Sequence, residues 1–342
     1  MASRSLTCPH SRRTFIKSAS LAGAGLALGG LDASAAWKDI PQAEVSFTAG
    51  SDRRQNIIDI LTPFKDKIAS DIQDRQVVIK CNFVLNDVPL CGTHPDAVRG
   101  VLDFLKPIYD KTVIVAEATS SETGTFVAFE NYGYMDIPDT YDARLVDLNE
   151  QATTDHYILG NDLKPLKIRI VNTFLDRKNY IISVTRLKSH WDVGVTLSIK
   201  NIAMGAPIND YKTFNNKPLM HQGDGIRGIN ENIYRVAHSV RADLSILDGF
   251  EGMEGNGPIR GTPVDHRVAL AGFDMMAVDR MGCELMGVDM ADVGYLTWLA
   301  RSCYGQADRE KITIIGDRDP KDHIITYKMS DNHDKVMEWK KG

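Results

Sequence analysis

The sequence predicts an α/β fold, a doubly wound, mostly parallel sheet with helices on both faces. Three observations carry this. Short β-branched runs, QVVIKCNFV (76–84), TVIVAEA (112–118) and ARLVDL (143–148), alternate with longer segments of helical periodicity, the rhythm of parallel strands joined by crossover helices. The rhythm returns near residue 230, where INENIYRVAHSVRA, DLSILDG, HRVALAG, FDMMAVDRMGCELMG and KITIIGD follow one another. At 342 residues, 43% hydrophobic and 25% charged, the chain has an ordinary globular composition with ample material for a core.

Each element has a local reason. Residues 56–69 carry Ile57, Ile58, Ile60, Leu61, Phe64 and Ile68 at helical spacing. In THPDAVRGVLDFL, Thr93 is a candidate cap, Pro95 suits the first turn and Asp96 the positive end of a helix. SSETGTFVAFENYGY supplies a loop and a helix broken at Gly133, and VGYLTWLARSCYG a helix ended at Gly305. The stretch 149–230 is less regular: KIRIVNTF and NYIISVTRL read as strands, followed by a loop rich in Asn, Lys, Pro and Gly. It is read as an irregular insertion in a single domain spanning 36–342.

The first 35 residues read differently. SRRTFIK (11–17) is followed by an uncharged Ala/Gly/Leu-rich run and then by DASAA (32–36), the order of an export signal with a small-residue cleavage site. The arginine pair and modest hydrophobicity resemble a twin-arginine (Tat) signal. The apolar run is too short and too rich in glycine for a membrane span, so no stable span is expected after cleavage near Ala35 or Ala36. The expected partner is the Tat export machinery, and the expected location periplasmic or extracellular. Tat cargo is exported folded, often around a cofactor, which raises the prospect of a metal ion or prosthetic group without naming one. Removing 1–35 takes away four of 40 basic and one of 45 acidic residues, leaving a net charge of −8. That gives no electrostatic case for nucleic-acid binding.

Cysteines form no C-x-x-C pair, so no iron–sulfur or thiolate zinc site is written locally. A Cys81–Cys91 bridge is one option that spacing alone cannot establish; idle thiols are the simpler state.

Ligands of open α/β sheets lie beyond the carboxyl ends of the strands, and several predicted strands end in polar groups. QVVIKCN ends with Lys80 and Asn82, IVAEATSS with Glu117 and Ser120, TLSIKN with Lys200 and Asn201, and LSILDGFEGMEGNGP with Asp248, Glu251 and Glu254. A single charge there is ordinarily solvated; four such ends on one sheet edge point to a shared site. The glycine-rich stretch 248–263 brings Glu251 and Glu254 near Asp248, fit for a hard cation, a base or partners for lysines; on composition alone a long surface turn is an equal reading. Its spacing matches neither a dinucleotide fingerprint nor a phosphate loop. His190 and His221 lie in the irregular middle, flanked by Lys188, Lys200, Lys217 and Asp224. Histidine with lysines suits a carboxylate or phosphate ligand, histidine with carboxylates a metal. The segment 193–200 alternates like a strand. If it were straight, its ends would lie roughly 23 Å apart, whereas a bend at Gly194 or a helical turn would let Lys188, His190 and Lys200 converge with Lys80 on one cleft.

VIKCN with its Gly-Thr-x-Pro helix start, VIVAEATS, RLKSH, the IKN–G turn and ILDGFEGMEGNGPIRGTP together resemble the family catalogued as domain of unknown function 362, over about residues 77–316. The resemblance implies an α/β fold and a shared polar site, and picks out Lys80, Asn82, Lys188, His190, Lys200, Asn201, Asp248, Glu254 and Asp279. Some members carry ferredoxin-type cysteines; this chain lacks them, so a cluster is not expected in it. The bent geometry is favoured because both lysine groups fall among the family's characteristic positions. The resulting expectation is an exported enzyme acting on a small anionic carboxylate or phosphate. Lys188, His190, Lys200, Asp248 and Glu254 would be catalytic; Lys80, Asn82, Glu117, Asn201, His221, Glu251 and Asp279 would bind the ligand. A non-catalytic anion- or cofactor-binding or maturation protein is the alternative.

Overall fold

The computed structural model describes residues 40–211 and 214–341. Its strands are β1 (Ala43–Ala49), β2 (Gln76–Lys80), β3 (Val113–Glu117), β4 (Ala143–Asp147), β5 (Thr153–Leu159), β6 (Pro165–Val171), β7 (Asn179–His190), β8 (Gly194–Thr196), β9 (Asn209–Asp210), β10 (Phe214–Asn215), β11 (Leu244–Asn256), β12 (Arg260–Gly272) and β13 (Ile312–Ile315). The main sheet has the order β13-β1-β12-β11-β7-β2-β3-β4, with β8 paired to the end of β7. Only the pairs made by β12 and β8 are antiparallel in it. β5–β6 and β9–β10 form separate two-stranded sheets.

Helices cover both faces, as the α/β rhythm predicts. On one face lie α1 (Arg53–Leu61), α2 (Lys65–Ile72), α3 (Pro95–Leu105), α4 (Thr125–Asn131) and α5 (Ile137–Thr140). They bury Ile57, Ile68, Val101, Phe129 and Ile137 with Val77, Ile79, Val115 and Ile182 of the sheet. On the other face α6 (Ser198–Gly205), α7 (Gly225–Ala237), α8 (Met275–Leu285) and α9 (Gly294–Arg301) bury Ile202, Ile233, Met281 and Leu296 against Val78, Ile181 and Leu247. A short α10 (His333–Val336) closes the described chain. The alternation of Val77/Ile79 to one face and Val78/Lys80 to the other is the period-two rule of a strand covered on both sides.

Three expectations are corrected. Residues 149–230 are not simply an insertion: they contain β7, the strand between β2 and β11 at the middle of the sheet. Every residue of β7 after Asn179 is buried, including Arg186, Lys188 and His190, and such a run lacks the alternation that marks a half-exposed strand. The glycine-rich stretch is not a long turn; most of it lies in the hairpin of β11 and β12, whose register runs from Ser245↔Gly272 to Asn256↔Arg260 with a bulge after Gly249. Thr93 does not cap α3. His94 does, accepting the Asp96 amide, while Thr93 Oγ1 ties Asn82 N to the Val184 carbonyl.

Cys81, Cys91 and Cys283 are buried free thiols, so Cys81 and Cys91 are not bridged. The signal-like segment lies outside the described residues, among which no helix is long and apolar enough to cross a membrane.

Candidate functional site

The chain leaves β2 for β3 and β4 on one flank and returns through the β5–β6 hairpin to β7 on the other. Such a reversal splays the connections apart and opens a crevice at the carboxyl ends of the two strands. Here β2 stops at Lys80, opposite Ser183, whereas β7 continues to His190. The chain after Lys80 leaves the sheet, and the 82–93 segment runs along β7 beyond Ser183, where Thr93, Gly92, Cys91 and Asn82 hydrogen-bond to Val184, Arg186 and Lys188.

A hydrogen-bonded network spans that edge. Lys80, fully buried, donates from Nζ to Glu117 Oε1 at 2.8 Å, to the Cys81 carbonyl at 2.7 Å and to Asn201 Oδ1 at 3.3 Å. Glu117 Oε1 also accepts the Phe83 amide, while its buried Oε2 has no protein donor among the described residues. Asn82 Nδ2 donates to Asn201 Oδ1 at 3.0 Å, and Asn82 Oδ1 accepts from Lys188 Nζ at 2.5 Å. Lys188 donates further to the Cys91 carbonyl at 2.6 Å. Asn201 Nδ2 reaches Ser183 Oγ at 3.0 Å. Lys80, Asn82, Glu117, Lys188 and Asn201 are thus one unit, drawn from β2, β3, β7 and α6.

The alternating segment after β7 is not a straight strand. The chain reverses through Trp191–Val193, with Gly194 at φ +83°, a backbone angle that glycine adopts without steric cost. β8 pairs back on β7, Lys188 opposite Thr196, and α6 begins at Ser198. Lys200 thereby returns close enough to Lys188 for the two ammonium groups to repel.

Buried charges grip α6 at both ends. Asp279 accepts the Ser198 and Ile199 amides at 2.8 and 2.9 Å, and Lys217 donates to the Met204 and Pro207 carbonyls at 3.2 and 2.7 Å. In its charged form each group complements the helix dipole at its end. At Gly205 a Cβ would come within 2.8 Å of Lys80 Nζ, so glycine lets α6 approach that ammonium. Asp279 therefore positions the helix and has both oxygens committed to it, contrary to its expected place among ligand-binding groups. Burial pushes its carboxyl up to about 8 against the pull of the two amides.

Lys200, 6% exposed, has no acceptor within hydrogen-bonding distance of its Nζ among the described residues. Burial first, then Lys188, lowers it to about 7, with Asp192 acting in the opposite sense. Burial likewise lowers Lys188 to about 8 and Lys217 to about 7. His190 is buried and held well below the ordinary histidine range by burial and by Lys200, His221 and Lys188. Its Nδ1 accepts the Asp192 amide at 3.0 Å, leaving the ring proton of the neutral form on Nε2. His221 stands at the more open side, its Nδ1 3.6 Å from Asp192 Oδ2, too long for a hydrogen bond.

An ammonium has three donors. Lys80 uses all three on protein; Lys188 and Lys217 use two each, and Lys200 none among the described residues.

The glycine-rich carboxylates do not join this group as expected; they pair with arginines or the C-terminal chain. Asp248 lies 3.3 Å from Arg53 Nε, and Glu251 3.0 Å from an Arg186 nitrogen. Glu254 accepts the Lys328 amide at 2.8 Å on the hairpin arm. Arg53 and Arg186 escaped the sequence reading of the site, and Lys217 entered it only as a neighbour of the histidines. Only Arg186 left a signal, two residues before Lys188 and hence on the same strand face.

An iron–sulfur cluster does not fit the donors present. Among the described residues no three His, Cys, Asp or Glu converge as metal ligands, and burial pushes the Cys81 thiol up to about 12, away from the thiolate a cluster needs.

Fold and network define an α/β protein with a buried lysine-rich cluster where the strand order reverses. The chain belongs to the family described as domain of unknown function (DUF362), whose model matches residues 77–284. It is 25% identical over 221 residues to a thylakoid-associated protein of Synechocystis sp., an alignment covering 64% of this chain and 65% of the relative. The match thus spans about two thirds of the relative's length. No solved structure matches the chain.

Proposed function

We propose that the protein is an exported enzyme that takes a small carboxylate or phosphate into the crevice between β2 and β7. One observation carries the reading. Lys80, Lys188, Lys200 and Lys217 are each at most 6% exposed, yet only Lys80 has a carboxylate partner within salt-bridge distance among the described residues. Buried ammonium groups are costly unless paired, and an anionic ligand would use the donors left on Lys188 and Lys200. His190 and the lowered lysines supply groups able to move protons near neutral pH.

The test is calorimetric titration of the folded chain with sulfate and with lactate, from about pH 6 to about pH 9, where neither anion titrates. Below about 7 both Lys200 and Lys188 are protonated and affinity should be highest. Above their lowered values binding must first take up protons, so affinity should fall, at most about tenfold per pH unit for each lysine neutralised. Affinity that is absent, flat or rising with pH would overturn the reading.

Export rests on SRRTFIK and on the company of a relative described as thylakoid-associated. Replacing both Arg12 and Arg13 by lysine should leave precursor in the cytoplasm by fractionation and immunoblot. Unchanged delivery would remove the Tat assignment.

A further inference from the structure

Resting on the anion-binding reading, we propose that Lys200 is a nucleophile whose amine condenses with the carbonyl carbon of a small 2-oxo carboxylate, forming an imine. The ordinary reason for burying a lysine is an ion pair, and Lys200 has no carboxylate within salt-bridge distance among the described residues. Its position is nonetheless fixed, because α6 is held by Asp279 at one end and Lys217 at the other. The charged groups facing it are Lys188, His190, His221 and Asp192, from β7, the turn after it and the segment before α7. Burial and Lys188 leave a substantial fraction of the amine unprotonated near neutral pH, and the free base is the form that attacks a carbonyl.

The choice of cation separates this role from plain anion binding. Arginine is the usual residue for holding an anion bidentately with permanent charge. Arg186, beside Lys188, is committed to Glu251, and Arg53 to Asp248. The cations with donors to spare are lysines, whose charge can be removed.

The chemistry balances within the site. The Lys200 lone pair adds to the carbonyl carbon, and the carbonyl oxygen takes the proton released by nitrogen, giving a carbinolamine. Its hydroxyl then leaves as water with a proton from the Lys188 ammonium, whose third donor is unused by protein. The products are an iminium on Lys200, a neutral Lys188 and one water, with total charge unchanged. The positive iminium in a buried site favours a substrate that brings its own negative charge next to the reacting carbon, which a 2-oxo carboxylate does. The His190 Nε2–H remains as a donor for that carboxylate.

The experiment incubates the full chain with pyruvate and, separately, with 2-oxoglutarate, then reduces with borohydride and maps adducts by peptide mass spectrometry. A single reduced adduct on Lys200 is expected. It should disappear in Lys200→Arg, whose folding is checked by thermal melting, and form more slowly in Lys188→Met at saturating oxo acid. Adducts spread over exposed lysines equally in wild type and Lys200→Arg would overturn the proposal. No adduct with sulfate binding intact would overturn the imine alone. No adduct and no anion binding would overturn the functional reading as well.

Discussion

Glu117→Ala is expected to cost about 3–5 kcal/mol of folding stability, because removing one partner leaves the other charge buried and unpaired. Lys80 and Glu117 are 0% and 2% exposed, and their contact is 2.8 Å. The loss should be visible as a lower denaturation midpoint with an unchanged slope. It should also spread to the crevice, since Lys80 holds Asn201 and, through it, Asn82. Adding Lys80→Met to Glu117→Ala should recover much of the stability, because the stranded ammonium is then gone. A Glu117→Ala variant within about 1 kcal/mol of wild type would mean that water reaches Lys80 freely.

Lys200→Met is expected to act in the opposite direction on stability and to weaken the protein's hold on anions. The Lys200 ammonium has no protein partner among the described residues and only a narrow contact with solvent, so an apolar chain of similar length in its place should raise stability by about 1–4 kcal/mol. The sign with pH follows from the lowered value of about 7 against 10.5 in the unfolded chain. Below about 7 both states are protonated and the folded protein carries the whole cost. As pH climbs towards 10.5 the folded lysine gives up its proton first and the cost is relieved. The gain from Lys200→Met should therefore be largest in mild acid and fade in alkali. Over the same range sulfate affinity should drop by about 1.5–3 kcal/mol, roughly 10- to 150-fold. A variant that is less stable than wild type at pH 6, or that binds sulfate equally well, would contradict the assigned role. Functional sites commonly give up stability in this way.

The β2–β3–β4 flank of the sheet was legible in the sequence because these strands and their helices obey local rules: β-branched runs for strands, apolar residues at helical spacing, Pro95 in a first turn; β1 on the other flank was passed over. The centre was legible only in part: NYIISVTRL and DLSILDG read as strands, but their continuations to His190 and Asn256 did not, and the reasons are chemical. β7 buries Arg186, Lys188 and His190 in a strand, so its charges read as a boundary. β11 carries Gly249, Gly252 and Gly255, which read as a turn; at Gly252 a Cβ would collide with Tyr327, a contact that no local pattern announces.

For the site, strand ends pointed to Lys80, Asn82 and Glu117, which share one network with Lys188 and Asn201; Asn201 was reached through a segment read as a strand that is the helix α6. The same rule mistook Glu254, whose partner is a backbone amide 74 positions further along. It could not see that Asp279 and Lys217 act on a helix, since that depends on which segments meet at its ends.

The double grip on α6 bears on the entropy of recognition. A helix of eight residues is marginal by itself, and one carrying an unpaired ammonium would be expected to fray. With its first amides and last carbonyls tied to buried charges, it has little left to freeze when a partner molecule arrives. Loop and side-chain ordering commonly subtracts about 0.5–1.5 kcal/mol per immobilised group from affinity. Lys200 and Asn201 have largely met that cost during folding, so a very small molecule, with few atoms to offer in return, can still be held.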